Sequence, residues 1–375
     1  MDFNLTDGQK AIQRLARDFS NQEIEPLAEK LDKDGRLPDD LIHKLAKLDF
    51  LGMTVPHKYG GTEATNFDCI LAIEQLAYSG TGAWWLVGFN TSIPGSILKY
   101  GSEAIKSTYL KHFCDGTAYA SIQFTEAETG SDPAALTTTA KPDGDSYIIN
   151  GMKRFSTFGA RPGYSVTYTI DDEGTCTAFV TEKLRDGYTA PKVWELMGSG
   201  GMEAADVYYD DYRVPAANIL GKKGQGYEIL LYWISNEKIE QCAAATGIAQ
   251  AALDEAVTYA KTRISRGKPI AAMQGIRWQL GEMKAKLDAC RLMTYRAVCA
   301  EDAEEPDWQN QAASAKLFVV PTAMEIVETA RRIHGAYGYT RETKVERLSR
   351  AITGFPSIAV SLEINRTIIG SSVVR

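Results

Sequence analysis

Histidine is scarce in this chain. There are four in 375 residues, scattered, which argues against a His-rich metal site. The six cysteines, Cys69, Cys114, Cys176, Cys242, Cys290 and Cys299, form no CxxC pair and no metal spacing, and they suit a reducing, cytoplasmic setting. No apolar run reaches the length of a membrane span. The opening residues, MDFNLTDGQKAIQRLARDF, combine acidic side chains with helical periodicity, unlike a signal or transit peptide. Basic charge is not in excess: the net charge is −7, so the electrostatic footprint of a nucleic-acid binder is missing. Strand patterns do not alternate with helices and no GxGxxG follows a strand, which excludes a doubly wound nucleotide fold. No repeat or low-complexity segment is present.

What remains is an ordinary globular composition, 44% hydrophobic and 24% charged, long enough for two or three domains. Residues 1–117 read as helical, with spans at about 6–32, 37–52, 66–78, 81–99 and 102–114. Thr6 caps the first, and Gly60-Gly61 turns the loop VPHKYGGTEATNFD. The pair Trp84-Trp85 either fills core or narrows a pocket. From Tyr119 the period changes to short runs rich in Thr, Tyr, Val and Ile, punctuated by Asp-Gly and Gly pairs, so residues 118–224 read as an antiparallel β domain. Helix returns at about 226–263, 272–300, 306–333 and 357–370, giving residues 225–375 a long-helix bundle. The expected fold class is α+β: an N-terminal helical domain, a middle antiparallel β domain and a C-terminal four-helix bundle.

Residues 226–263 organise the rest. The stretch has no Pro, has Gly only at its start and at Gly247, and would extend roughly 55 Å as a helix. Leu230, Trp233, Ile234, Ala244, Ala245, Ile248, Ala251 and Ala252 recur at helical spacing, and the small residues after Cys242 permit close approach of a backbone or a flat ligand. Glu237 lies one turn beyond Trp233 and Ile234. A carboxylate at the edge of that apolar face would be partly desolvated, which raises its pKa toward that of a general base. Taken alone, Asn236, Glu237, Lys238 and Glu240 read more readily as a solvated patch than as a site.

Five segments together resemble the acyl-CoA dehydrogenase family: FTEAETGSDPAAL, INGMKRFSTFGA, RVPAANILG, TRISRGKPIAAMQ and IHGAYGYTRETKVERLSRA. The resemblance covers essentially the whole chain in order. It implies FAD between the β domain and the last helical domain, partly across a dimer interface, within a homotetramer built as a dimer of dimers. By motif match, Phe124, Thr125, Gly130 and Ser131 line the flavin and thioester region. Phe155, Ser156 and Thr157 flank the isoalloxazine, and short polar donors there suit a ring that becomes anionic on reduction. Arg263, Ser265, Gln274, Arg332, Gly335, Ser361 and Glu363 match cofactor positions, some of them from a neighbouring subunit. Ser131, Lys238 and Trp85 are expected near the substrate. The chain departs from the family pattern at Arg266, Arg332, Ala336 and Ala351.

The main departure concerns the base. Most of the family carries Glu on the loop before the last helix; here that register is SIAVSLEINR and the position is Ala359. A second branch, including isovaleryl-CoA dehydrogenase, places the base on the long helix, where this chain has Glu237. The resemblance then implies that Glu237 removes the α-proton of a thioester while the β-hydride passes to the flavin on the opposite face. Trp84, Trp85 and Phe89 suggest a short, branched or cyclic acyl group. Acyl-CoA is the default carrier, with electron-transfer flavoprotein as the partner that accepts the electrons. An aminoacyl, prolyl-type group on a carrier protein is the alternative, because Ser235 and Lys238 replace residues that contact the thioester arm in CoA enzymes. Flavin oxidase or monooxygenase chemistry on the same fold is a second alternative. The basic residues Lys344, Arg347 and Arg350 would either receive an acidic carrier or form a solvated helix face.

Overall fold

Thr6 accepts a hydrogen bond from the Gln9 amide, and the Gln9 side chain returns one to Thr6, so a capping box opens α1 (Asp7–Phe19). A computed structural model describes residues 4–130, 132, 135–171 and 173–374. The single helix expected over 6–32 is interrupted. A π-turn (Ser20–Ile24) and a 3-10 turn (Glu25–Leu27) precede α2 (Ala28–Asp34), because Pro26 has no N–H to continue the ladder. The span expected over 37–52 contracts to α3 (Leu41–Ala46). Then come α4 (Asn66–Ala77), α5 (Trp84–Tyr100) and α6 (Glu103–Cys114). Trp84 and Trp85 are both fully buried and stacked, with ring centroids 4.0 Å apart, so the core reading of this pair holds.

The middle of the chain forms β1 (Tyr119–Gln123), β2 (Thr139–Asp143), β3 (Ser146–Thr157), β4 (Gly163–Ile170), β5 (Cys176–Glu182), β6 (Tyr188–Val193), β7 (Ala204–Pro215) and β8 (Ile219–Leu220). They make one sheet in the order β6-β7-β3-β2-β4-β5-β8, with β1 beside β4. Pairing is mainly antiparallel, as the hairpin signals require; β1 and β2 run parallel to β4.

The bundle consists of α7 (Gly226–Thr262), α8 (Gln274–Asp302), α9 (Trp308–Ile333), α10 (Lys344–Ile352) and α11 (Leu362–Val373), with a short hairpin, β9 (Ile264–Ser265) and β10 (Lys268–Pro269), between α7 and α8. The last helix begins later than expected, after Pro356, with Ser361 as its N-cap. Helix α10 was expected only as a solvated helix face or a docking patch, since charge dominates its sequence. It buries Val345, Leu348, Ala351 and Ile352, one face at helical spacing. Gly247 explains how α4 reaches α7: a Cβ there would lie 2.0 Å from the Glu74 carbonyl oxygen, so the two backbones touch.

Helix α10 also corrects the reading of Lys344, Arg347 and Arg350 as a docking patch or solvated face. Lys344 and Arg347 both pair with Glu25, at 2.8 and 2.6 Å, and Arg350 pairs with Asp32 at 2.6 Å and Glu346 at 2.7 Å. These cations tie the last domain to the first and are mostly shielded from solvent.

Candidate active site

Asn236, Glu237, Lys238 and Glu240 are all buried, so the solvated-patch reading of α7 fails. Trp233, Ile234 and Glu237, at i, i+1 and i+4, face a cavity of about 500 Å³. The β domain contributes Ile122, Phe124, Thr125, Gly130, Arg154, Phe155 and Thr157 to its wall, with Met197 to Ser199 from the β6–β7 loop. Arg350 and the segment from Ser357 to Val360 close the far side.

The β wall is held by a buried ion pair. Lys153 donates to Glu126 at 2.7 Å, and Glu126 accepts from the amides of Thr137 and Thr138 at 2.7 and 3.0 Å. Burial opposes the Glu126 charge, yet Lys153 and these threonine donors outweigh it and hold the carboxyl down to about 2. Lys153 is itself pushed down to about 8 by burial, with Glu126 opposing. This pair fixes the loop that follows Phe124 and Thr125 against β3. A bulge in β3 between Lys153 and Ser156 puts Phe155 in the left-handed region, φ +53°. Phe155 stands half-exposed at the cavity, 5.1 Å from the Trp194 ring.

Glu237 is 2% exposed. Its Oε1 accepts from Gln241 Nε2 at 3.2 Å, and its Oε2 has no partner among the described residues. Burial pushes its carboxyl well above the usual range; Lys316, the Gln241 hydrogen bond and Lys238 offset this only in part. Lys316, on α9, is buried and its charge is disfavoured by burial, with Glu237 opposing. It donates to the carbonyls of Ile358 and Val360, the latter at 2.9 Å. Those carbonyls flank Ala359, whose φ is +63° and which faces the same cavity as Glu237.

Of the residues singled out in the sequence, Phe124, Thr125, Gly130, Phe155, Thr157 and Glu237 meet at this cavity. Ser131 lies outside the described residues. Ser156 sits between two wall residues, buried, with its hydroxyl unpartnered. Trp85 is set back from the wall, packed edge-on behind Phe89 at 5.0 Å. Lys238 is also off the wall: one residue past Glu237, it projects about 100° around the helix, into protein, where burial pushes it down to about 8. Ser361 caps α11, and Glu363 is exposed and paired with Arg366 at 2.7 Å. Arg263, Ser265, Gln274, Arg332 and Gly335 form a second group at the other end of the bundle. There α7 ends, α8 begins and α9 ends, and Tyr259 stacks on His334 at 4.4 Å. At about 1.5 Å per residue, α7 carries Arg263 roughly 39 Å from Glu237.

Lys316 and Arg350 were not picked out as site residues. The sequence signal for Lys316 was a lone cation among Ala312, Ala315, Val319 and Val320, on a face that must be buried. Arg350 gave no such signal.

Three family models cover nearly all of the chain: acyl-CoA dehydrogenase N-terminal domain over 6–117, middle domain over 121–212, and C-terminal domain over 224–374. The chain is 33% identical to an acryloyl-CoA reductase (NADH) of Anaerotignum propionicum, over 100% of this chain and 96% of that protein. Its fold matches the butyryl-CoA dehydrogenase of Megasphaera elsdenii with a TM-score of 0.97 and 32% identity, covering 100% of both chains. It matches the prolyl acyl carrier protein oxidase AnaB with a TM-score of 0.92 and 27% identity, over 99% of this chain and 100% of that one. No helix among the described residues is long and apolar enough to cross a membrane. With its fold and its sequence in agreement from end to end, this chain belongs to the acyl-CoA dehydrogenase family, flavin-dependent oxidoreductases acting on the CH–CH bond of acyl-CoA.

Proposed function

We propose that this chain dehydrogenates a short, branched or cyclic acyl thioester, with acyl-CoA as the default carrier, and that Glu237 is the base. The observation that carries this reading is the Glu237 carboxylate, buried and unpartnered at Oε2, in a cavity where the other family base position is Ala359. The raised pKa gives Glu237 the basicity needed to take a weakly acidic proton next to a thioester carbonyl. Trp233, with Phe89 behind it at 5.9 Å and Trp85 behind that, limits the depth open to an acyl chain.

FAD fits the residues present. The half-exposed Phe155 ring and the exposed Met197 lie beside Thr125 and Thr157, and a buried hydroxyl on Ser156 is left unpartnered. This suits a flat ring with hydrogen-bonding edges. Bound FAD supplies the hydride acceptor. Phe124, Thr125, Gly130, Phe155 and Thr157 would hold its ring end. The second group, Arg263, Ser265, Gln274, Arg332 and Gly335, is too distant within one chain to reach the same molecule, which favours its supply by a neighbouring subunit. Exposed apolar side chains on the bundle, Trp278, Leu292, Phe318 and Tyr339 among them, are in keeping with a homotetramer. Electron-transfer flavoprotein is the proposed acceptor and the cytoplasm the proposed location.

The second reading is oxidation of a prolyl-type aminoacyl thioester on a carrier protein. The likeness to AnaB and the position of Glu237 on α7 favour it. A flavin oxidase remains the third. One experiment tests all three: anaerobic bleaching of the flavin absorbance by short acyl-CoAs, branched acyl-CoAs and prolyl-carrier protein, followed by admission of air. Bleaching by acyl-CoA with slow reoxidation is expected. Bleaching by the carrier protein alone selects the second reading, and rapid reoxidation by air selects the third.

A further inference from the structure

Helix α7 carries a second carboxylate that the proposed reaction does not use. Glu240 lies three residues beyond Glu237, on an adjoining face of the helix. It is buried, and its Oε2 has no hydrogen-bond partner among the described residues. Glu301, near the end of α8, is also buried, with Oε1 unpartnered. Both line one small void of about 10 Å³, together with Thr91, Ser92 and Asn236, and the Thr91 hydroxyl is unpartnered too. The void has the volume of a single water, and the unpartnered oxygens supply the polar contacts such a water needs.

The two cavities flank α7. Residues 233, 234 and 237 face the large one, and residues 236, 239 and 240 face the small one. Trp233 stands between them and donates from Nε1 to the Ser92 hydroxyl at 3.2 Å. The partly exposed Asn66 also lines the small void, and Glu301 keeps 8% exposure. Burial, then Glu237 and Glu301, push the Glu240 carboxyl well above its usual range, with Ser92 opposing. Burial and Asp302 push Glu301 up to about 8, against Lys99. Burial thus favours the protonated form of both, and a neutral carboxylic acid donates as well as accepts.

A thioester filling the large cavity separates Glu237 from bulk water, so a proton taken from the substrate must leave through the protein. We infer that Glu240, one buried water and Glu301 form a proton path between Glu237 and solvent. Glu237 passes its proton to Glu240 as Glu240 releases its own to the water. The water passes one to Glu301, and Glu301 releases one to solvent. Glu240, the water and Glu301 end as they began, Glu237 ends as a carboxylate, and no electrons move. Run backwards, the same path delivers a proton to Glu237.

This inference rests on Glu237 being the base, and the test separates the two. The FAD-loaded enzyme is mixed in D₂O with 3-thiabutyryl-CoA, in which sulfur replaces the β-carbon, so that the α-proton can leave but no hydride can follow. Deprotonation is followed by stopped-flow absorbance and α-deuterium incorporation by mass spectrometry. In Glu240→Gln and Glu301→Gln the ratio of exchange to deprotonation should fall at least about tenfold, and Glu240→Asp should recover part of it. An unchanged ratio in both Gln variants overturns the path, as does a wild-type enzyme that deprotonates the analogue without exchanging. Wild-type deprotonation rates in Glu237→Gln would instead overturn the assignment of the base.

Discussion

Glu237 and Ala359 face the same cavity from different parts of the bundle, the first from within α7 and the second from the loop between α10 and α11. Under the proposed assignment of the base, the two candidate positions thus converge on one space, and in this chain only the helical one carries a carboxylate. The loop position is kept in place all the same: Lys316 binds the carbonyls on both sides of Ala359 while lowering the cost of charge on Glu237.

Glu237→Gln should retain yellow flavin and lose reductive bleaching, with the single-turnover rate down by about 10² to 10⁴. The measurement is stopped-flow absorbance with the best substrate of the panel. Bleaching at the wild-type rate would end the assignment.

Adding Ala359→Glu to Glu237→Gln should restore part of the lost rate, at least about tenfold, because the new carboxylate enters the same cavity. The left-handed backbone at 359 already carries a side chain, so the change adds little further strain. A double variant no faster than Glu237→Gln would show that the two positions do not address the same carbon.

Lys316→Gln should move the rise of bleaching rate with pH to higher pH, by about one unit. The sign follows from the charge. Lys316 lowers the Glu237 pKa, so removing it leaves the carboxyl protonated to higher pH, and only the carboxylate takes a proton. Bleaching rates from pH 5 to 9 check this; a profile that does not move would show that the two groups are not electrically linked.

Trp233→Leu should raise the ratio of kcat/KM for longer over shorter acyl chains by at least about tenfold, since the indole stands at the cavity wall on Phe89. Steady-state kinetics across a chain-length series decides, and an unaltered preference would place the depth limit elsewhere.

Stability should fall as pH rises from 5 to 8. Glu301 ionises near 4.5 when unfolded and near about 8 when folded, so across that window the unfolded chain gains charge that the folded one cannot. The loss is on the order of a few kcal/mol. It should shrink in Glu301→Gln, measured as the shift in urea midpoint between the two pH values. An equal shift in both proteins would contradict it.

Local pattern and motif order, taken together, were enough for the α+β architecture, the succession of helices, sheet and bundle, and the family. The capping box at Thr6, the alternation in the strands and the helical period of α7 are all features of adjacent or regularly spaced residues. Where local pattern misled, the cause was local too: Pro26 broke the first helix, and the charge on α10 hid its short apolar face.

By itself the sequence determined that a carboxylate stands on α7 and that none stands at 359. Only the tertiary structure decided that these positions share a cavity, that Lys344, Arg347 and Arg350 turn inward to Glu25 and Asp32, and that Lys316 and Glu301 lie in the interior. Periodicity and propensity report what a residue does to its neighbours along the chain. Desolvation and ion pairing depend on residues hundreds of positions away, and for a charged side chain these forces decide whether it is solvated, structural or reactive.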